Sequence, residues 1–84
     1  MTKSKKSLDA RIRAKLLEVS DEAEAAMMDS SEEAAEACGR FACCRVLLEG
    51  MTPEDAAQGC RILPKHWPQY RGWQQVIKQF RGLI

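Results

Sequence analysis

The sequence has little with which to build a β-sheet. Among its 84 residues the β-branched side chains are Ile12, Val19, Val46, Ile62, Val76, Ile77 and Ile84, with Thr2 and Thr52. No segment alternates apolar and polar residues over the length of a strand. Ala, Glu, Leu, Lys, Arg and Gln dominate instead, side chains that lose little on entering a helix. The expected class is therefore all-α. A long apolar run is missing as well. None approaches the length of a membrane-spanning helix, and the basic start MTKSKKS leads into no apolar stretch of the kind a secretory signal carries. A cytoplasmic protein with no membrane partner is expected, and its four cysteines should then be thiols.

The patterns that carry chemistry are also absent. There is no glycine-rich phosphate loop. The single histidine, His66, has no Ser or Asp partner in a recognisable motif, and the carboxylates fall on solvent-facing helix positions. A structural zinc site needs paired ligands two to four residues apart in two clusters, whereas the cysteines are Cys38, Cys43, Cys44 and Cys60. On a helix Cys43 and Cys44 point about 100° apart and Cys38 points elsewhere again. Neither catalysis, nor a cofactor, nor a metal is expected. The cysteines are read as small hydrophobes, with Cys43 expected to be the exposed one and the most open to oxidation.

What the chain does have is helix punctuation. Residues 1–6 read as a flexible basic arm, and 7–84 as one helical domain with a small core. Ser7 is a candidate N-cap, and Leu8, Ile12, Leu16, Val19, Ala23 and Ala26 or Met27 form a helical stripe ending near Met28. Asp9 and Arg13 have the spacing of an ion pair. Ser30 with Glu33 has capping-box spacing and opens a second helix that runs to about Leu48, with Gly50 just beyond it. Its inner face is expected to be Ala34, Ala37, Cys38, Phe41, Cys44 and Leu48, small enough in its early half for a neighbour to come close. Glu36 and Arg40 form a second candidate pair. Thr52, with Pro53 after it and Asp55 three residues on, caps a short third helix, Pro53 to Cys60. A last helix starts near Pro68 or Gln69, presents Tyr70, Trp73, Ile77 and Phe80 inward with Val76 beside them, and ends at Gly82. Gly72 within it is a mild penalty. The fold expected is a bundle of about four helices: two long antiparallel ones, a short third and a C-terminal fourth.

Charge is distributed in blocks. Residues 1–15 hold six Lys or Arg and one Asp, residues 16–37 hold eight acids and no base, and residues 38–84 hold seven bases and three acids, so that the net is only +1. Solvated helix faces of mixed sign account for such blocks, and the same blocks can meet partners of opposite sign.

The stretch LLEGMTPEDAAQGCRI resembles the first half of the helix-turn-helix of small phage and bacterial regulators and of terminase small subunits. Glu54, Asp55, Ala56 and Ala57 match its acid-rich start and paired alanines, Cys60 fills its apolar slot, and Ile62 matches the residue after the turn. The small Ala56 or Ala57 would let two helices touch. The resemblance implies a DNA-binding regulator that uses residues 52–70, with Arg61, Lys65, His66 and Lys78 near bases or phosphates. Two residues depart from the pattern. Arg61 stands where the turn glycine is usual, and Pro68 falls about four residues into the helix that should read DNA.

Four of the five aromatics lie in the last eighteen residues: Trp67, Tyr70, Trp73 and Phe80. A core formed where the last helix crosses the first two accounts for most of them. Two Trp and a Tyr on so short a segment exceed what one face must bury, and Trp, Tyr and Arg are common interface anchors. The function expected first is therefore non-catalytic docking on a larger protein partner, as a regulator or inhibitor, in some settings as a homodimer. The style resembles that of phage and mobile-element accessory proteins, such as anti-defence or host-takeover factors. The expected anchors are Trp67, Tyr70, Arg71 and Trp73, with Trp67 partly exposed and the acidic residues Glu32, Glu33 and Glu36 on a second contact face. Nucleic acid is the alternative partner.

Overall fold

The computed structural model of the chain describes residues 9–28 and 30–83; the expected arm, 1–6, and the expected cap Ser7 lie outside them. The described residues form four helices and no strand: α1 (Ala10–Ala26), α2 (Glu32–Leu48), α3 (Pro53–Cys60) and α4 (Pro68–Phe80). The all-α bundle expected from composition is thus observed, and α3 has the bounds its caps imply.

Each start follows from a local donor–acceptor match. The Asp9 carboxylate accepts from the Arg11 amide at 2.8 Å, so that α1 begins at Ala10 and this carboxylate serves as a cap instead of pairing with Arg13. Ser31, not Ser30, caps α2: its hydroxyl accepts from the Ala34 amide at 3.1 Å. The expected Ser30–Glu33 capping box is therefore replaced by a single cap one residue on, since the residue three past Ser31 is Ala34, with no polar side chain to reach back. The later start still places Glu32 and Glu33 in the first turn, against the positive end of the helix dipole. The Thr52 hydroxyl accepts from the Asp55 amide at 3.1 Å, ahead of Pro53 at the first helical position. At the end of α2, Gly50 takes φ 109, a left-handed conformation that costs glycine nothing. There the Gly50 amide donates to Leu47 O and the Met51 amide to Val46 O, both at 3.1 Å, which closes the last turn as a Schellman motif.

Helix α2 is the middle of the molecule. It packs against α1, α3 and α4, α3 also packs against α4, and the α1 backbone approaches only α2 among the described helices. The backbone of the last helix therefore comes against α2 and α3 and not over α1, although the expectation had it crossing both long helices. This changes the inner face of α2. Ala34, Ala37 and Cys44 are buried as expected, but so are Gly39, Cys43 and Leu47, while Cys38, Phe41 and Leu48 are only half-buried. A helix covered on two flanks needs two apolar faces, and the second one takes Cys43. The expectation that Cys43 would be the exposed thiol is overturned, since it is wholly buried.

The α2–α4 crossing is close because glycine sits on both sides of it. A methyl group on Gly39 would strike the Gln69 carbonyl, and one on Gly72 would strike the Glu36 carbonyl. Gly72, read from sequence as a mild penalty, is the residue that admits α2. Below the crossing Leu16, Cys43, Cys44, Leu47, Ala56, Cys60, Val76, Ile77 and Phe80 make one core. Ala56 is the alanine that allows α3 to meet α4: it is wholly buried, and its carbonyl accepts from Trp73 Nε1 at 2.8 Å.

Candidate functional site

The chain between α3 and α4 turns twice in seven residues. The Arg61 amide donates to Gln58 O at 3.1 Å, Ile62 to Gly59 O at 3.3 Å and Leu63 to Cys60 O at 3.0 Å. A second turn is closed by the Trp67 amide on Pro64 O at 3.0 Å. Arg61 has φ −63 and ψ −21, ordinary right-handed backbone, so this turn asks for no glycine. The residue before a proline is pushed to extended backbone, and Trp67, at φ −76 and ψ 141, is held so by Pro68. Pro68 is the first residue of α4 and interrupts nothing. The break expected inside a reading helix is a helix start preceded by a seven-residue corner, longer than the three- or four-residue turn of a helix-turn-helix.

Leu63 anchors the corner by packing on the core, and Pro64 is half-buried. Around them Arg61, Ile62, Lys65, His66 and Trp67 are exposed. Ile62 keeps 85% of its surface in water and Trp67 43%, so that two large apolar side chains are exposed on one short corner. Arg61, Lys65 and His66 form no ion pair among the described residues. The resemblance had brought Arg61, Lys65 and His66 together with Lys78. The structure places the first three on the corner and Lys78 on the exposed side of the last turn of α4.

The other expected anchors have internal partners. Trp73 is half-buried and ties α4 to α3 through its indole N–H. Tyr70 is half-buried against the core. Arg71 reaches across to α2, donating to Glu32 at 3.0 Å and Glu36 at 3.2 Å. Those hydrogen bonds, Glu32 first, hold its guanidinium proton more tightly than usual. Glu36 also pairs with Arg40 at 3.3 Å, the expected i,i+4 contact, and Arg40 donates to Gln75 at 3.4 Å. Of the acidic face, Asp21, Glu22, Glu24, Glu32 and Glu33 are exposed. A shallow open pocket of about 290 Å³ lies beside this network, lined by Ala26, Ser31, Glu33, Glu36 and Arg40. No family model, curated protein or solved structure matches the chain.

The cysteines sit inward. Cys43, Cys44 and Cys60 are buried, Cys38 is half-buried, and all four are free thiols. Burial, reinforced by the neighbouring Cys44 and Cys60, pushes the Cys43 thiol up to about 12. Burial also pushes Cys44 up to about 11, against the opposing pull of Arg40. Cys60 is raised too, by burial, while Gln74 Nε2 on its sulfur at 3.6 Å works the other way. Thiols held neutral in this way are poor nucleophiles. Among the described residues no group of three His, Cys, Asp or Glu is placed to hold a metal ion, and no helix is long and apolar enough to cross a membrane.

The sequence reading missed Ile62 as a surface residue. From sequence it was only the match to the residue after a helix-turn-helix turn, and the signal for its exposure was Pro64, two residues on, which ends regular structure before a second helix can enclose Ile62.

Proposed function

We propose that the protein is a small non-catalytic regulator or inhibitor that docks on a larger protein through the corner 61–67. One observation carries the reading: Ile62 and Trp67 are both exposed on the same seven-residue corner as Arg61 and Lys65, which form no ion pair among the described residues, and that corner is held by Leu63 against the core and by Pro68 at its end. A preset corner loses little conformational freedom on binding, so that two apolar anchors suffice for a useful contact. Trp supplies the larger share of such contacts. Trp73 and Arg71 support the corner from behind, through Ala56 and through Glu32 and Glu36. Exposed Glu33 remains available as a second contact on the acidic face.

The test is affinity capture from lysate of the source cell, with and without nuclease, using the wild type and the double variant Ile62→Ser/Trp67→Ala. A protein retained by the wild type after nuclease and lost by the variant, at an unchanged thermal midpoint, supports the reading. Recovery of nucleic acid alone, sensitive to Arg61 and Lys65, would sink it in favour of the DNA-binding alternative.

A further inference from the structure

We infer that the segment received by the corner is acidic and carries an apolar side chain of its own; this rests on the docking reading above. The corner's basic residues form no ion pair among the described residues. The carboxylates nearest in sequence on the α3 side are Glu54 and Asp55, in the first turn of α3. The helix between them and Arg61 is about 10 Å long at 1.5 Å per residue, beyond the screening length of about 8 Å at physiological salt. The next cation on the α4 side, Arg71, is neutralised by Glu32 and Glu36. Arg61 and Lys65 thus offer positive charge where a partner's carboxylates gain and a basic partner is repelled, and His66 beside them can donate a hydrogen bond.

The apolar half of the assignment comes from Ile62. It has no polar atom beyond its backbone and gains only by burial against another apolar side chain. A ligand that is all phosphate would leave it wet. A nucleic-acid duplex long enough to run from the corner along α4 would also meet the Glu32 and Glu36 carboxylates beside Arg71. A short segment that mixes carboxylates with Leu, Ile or Phe satisfies both sets of groups, and the indole N–H of Trp67, which makes no hydrogen bond among the described residues, is a further donor to a carboxylate.

The probe is a randomised library of short peptides panned on the full-length chain. In parallel, a duplex oligonucleotide and vesicles containing phosphatidylserine are measured by titration. Enrichment of peptides combining Asp or Glu with Leu, Ile or Phe is expected. Their affinity should fall roughly tenfold or more with Ile62→Ser, and also with Arg61→Glu/Lys65→Glu, and should weaken with salt. All three positions are exposed, so thermal unfolding of these variants should match the wild type. Enriched peptides with no acidic bias that still depend on Ile62 and Trp67 would overturn the acidic assignment and leave docking standing. If no peptide depends on those two residues, or if the oligonucleotide or the vesicles bind while no peptide does, both readings fall.

Discussion

The indole N–H of Trp73, in α4, donates to the backbone carbonyl of Ala56, in α3, at 2.8 Å. This bond joins the two helices on either side of the exposed corner. Trp73→Phe keeps most of the ring and removes the donor. It should cost about 1–2 kcal/mol, read as a drop in the urea midpoint with an unchanged slope. Binding through the corner should weaken as well, since one support of its geometry is gone.

Glycine substitutions should change sign with position. Gly72→Ala places a methyl group on the Glu36 carbonyl, and Gly39→Ala places one on the Gln69 carbonyl. Each should destabilise by about 1–3 kcal/mol, as overpacking does. At Gly59 the same methyl group meets nothing within 4 Å, and Gly59→Ala should stabilise by about 0.5–1 kcal/mol through helix propensity. Chemical denaturation of the three variants checks both signs.

The buried thiols predict an alkaline limit. Their native values lie above the ordinary 9.0, at about 12 for Cys43 and about 11 for Cys44. The unfolded chain therefore releases these protons first. The stabilising effect is complete below pH 9 and is lost as pH rises from there through the native values. Stability measured by urea at pH 8 and pH 10 should fall between the two, and Cys43→Ala should flatten that fall. In the native protein at neutral pH a thiol reagent should label Cys38 first, because only Cys38 is not buried.

Glu36 serves two cations, Arg71 and Arg40, and its side chain is only 25% exposed, whereas Glu32 serves Arg71 alone and is 73% exposed. Glu36→Gln should lower the thermal midpoint by about 2–4 °C at low salt and Glu32→Gln by less. The gap should narrow as salt is raised.

Legibility followed the kind of signal. Thr52 with Pro53 fixes a start through one hydroxyl and one ring, and Gly50 fixes an end through its φ, so α3 and the close of α2 could be read from single residues. Ser30 and Ser31 are alike as acceptors, and only the fold chooses between them. The Cys43 face was hidden for another reason. One helical stripe reveals one partner, while α2 has neighbours on two flanks, and nothing in its periodicity announces the second. The Gly39–Gly72 crossing was half visible: the small residues of α2 suggested a close approach, but its counterpart on α4 looked like a weakness of that helix. Ser20 is buried in spite of its polarity, because its small size suits the seam between α1 and α2. At the corner, the prolines showed where regular structure stops, and the exposure of Ile62 required the coordinates.

The attachment of α1 to α2 alone among the described helices has a dynamic corollary. The other three helices hold one another through the Gly39–Gly72 crossing and the Trp73 bond, whereas α1 joins them through its contact with α2 and through Leu16 in the shared core, so that α1 can open while those two ties stay closed. Its amides should exchange with solvent through a partial opening well before the rest of the chain. The amides of α2 should exchange last, at the free energy of complete unfolding.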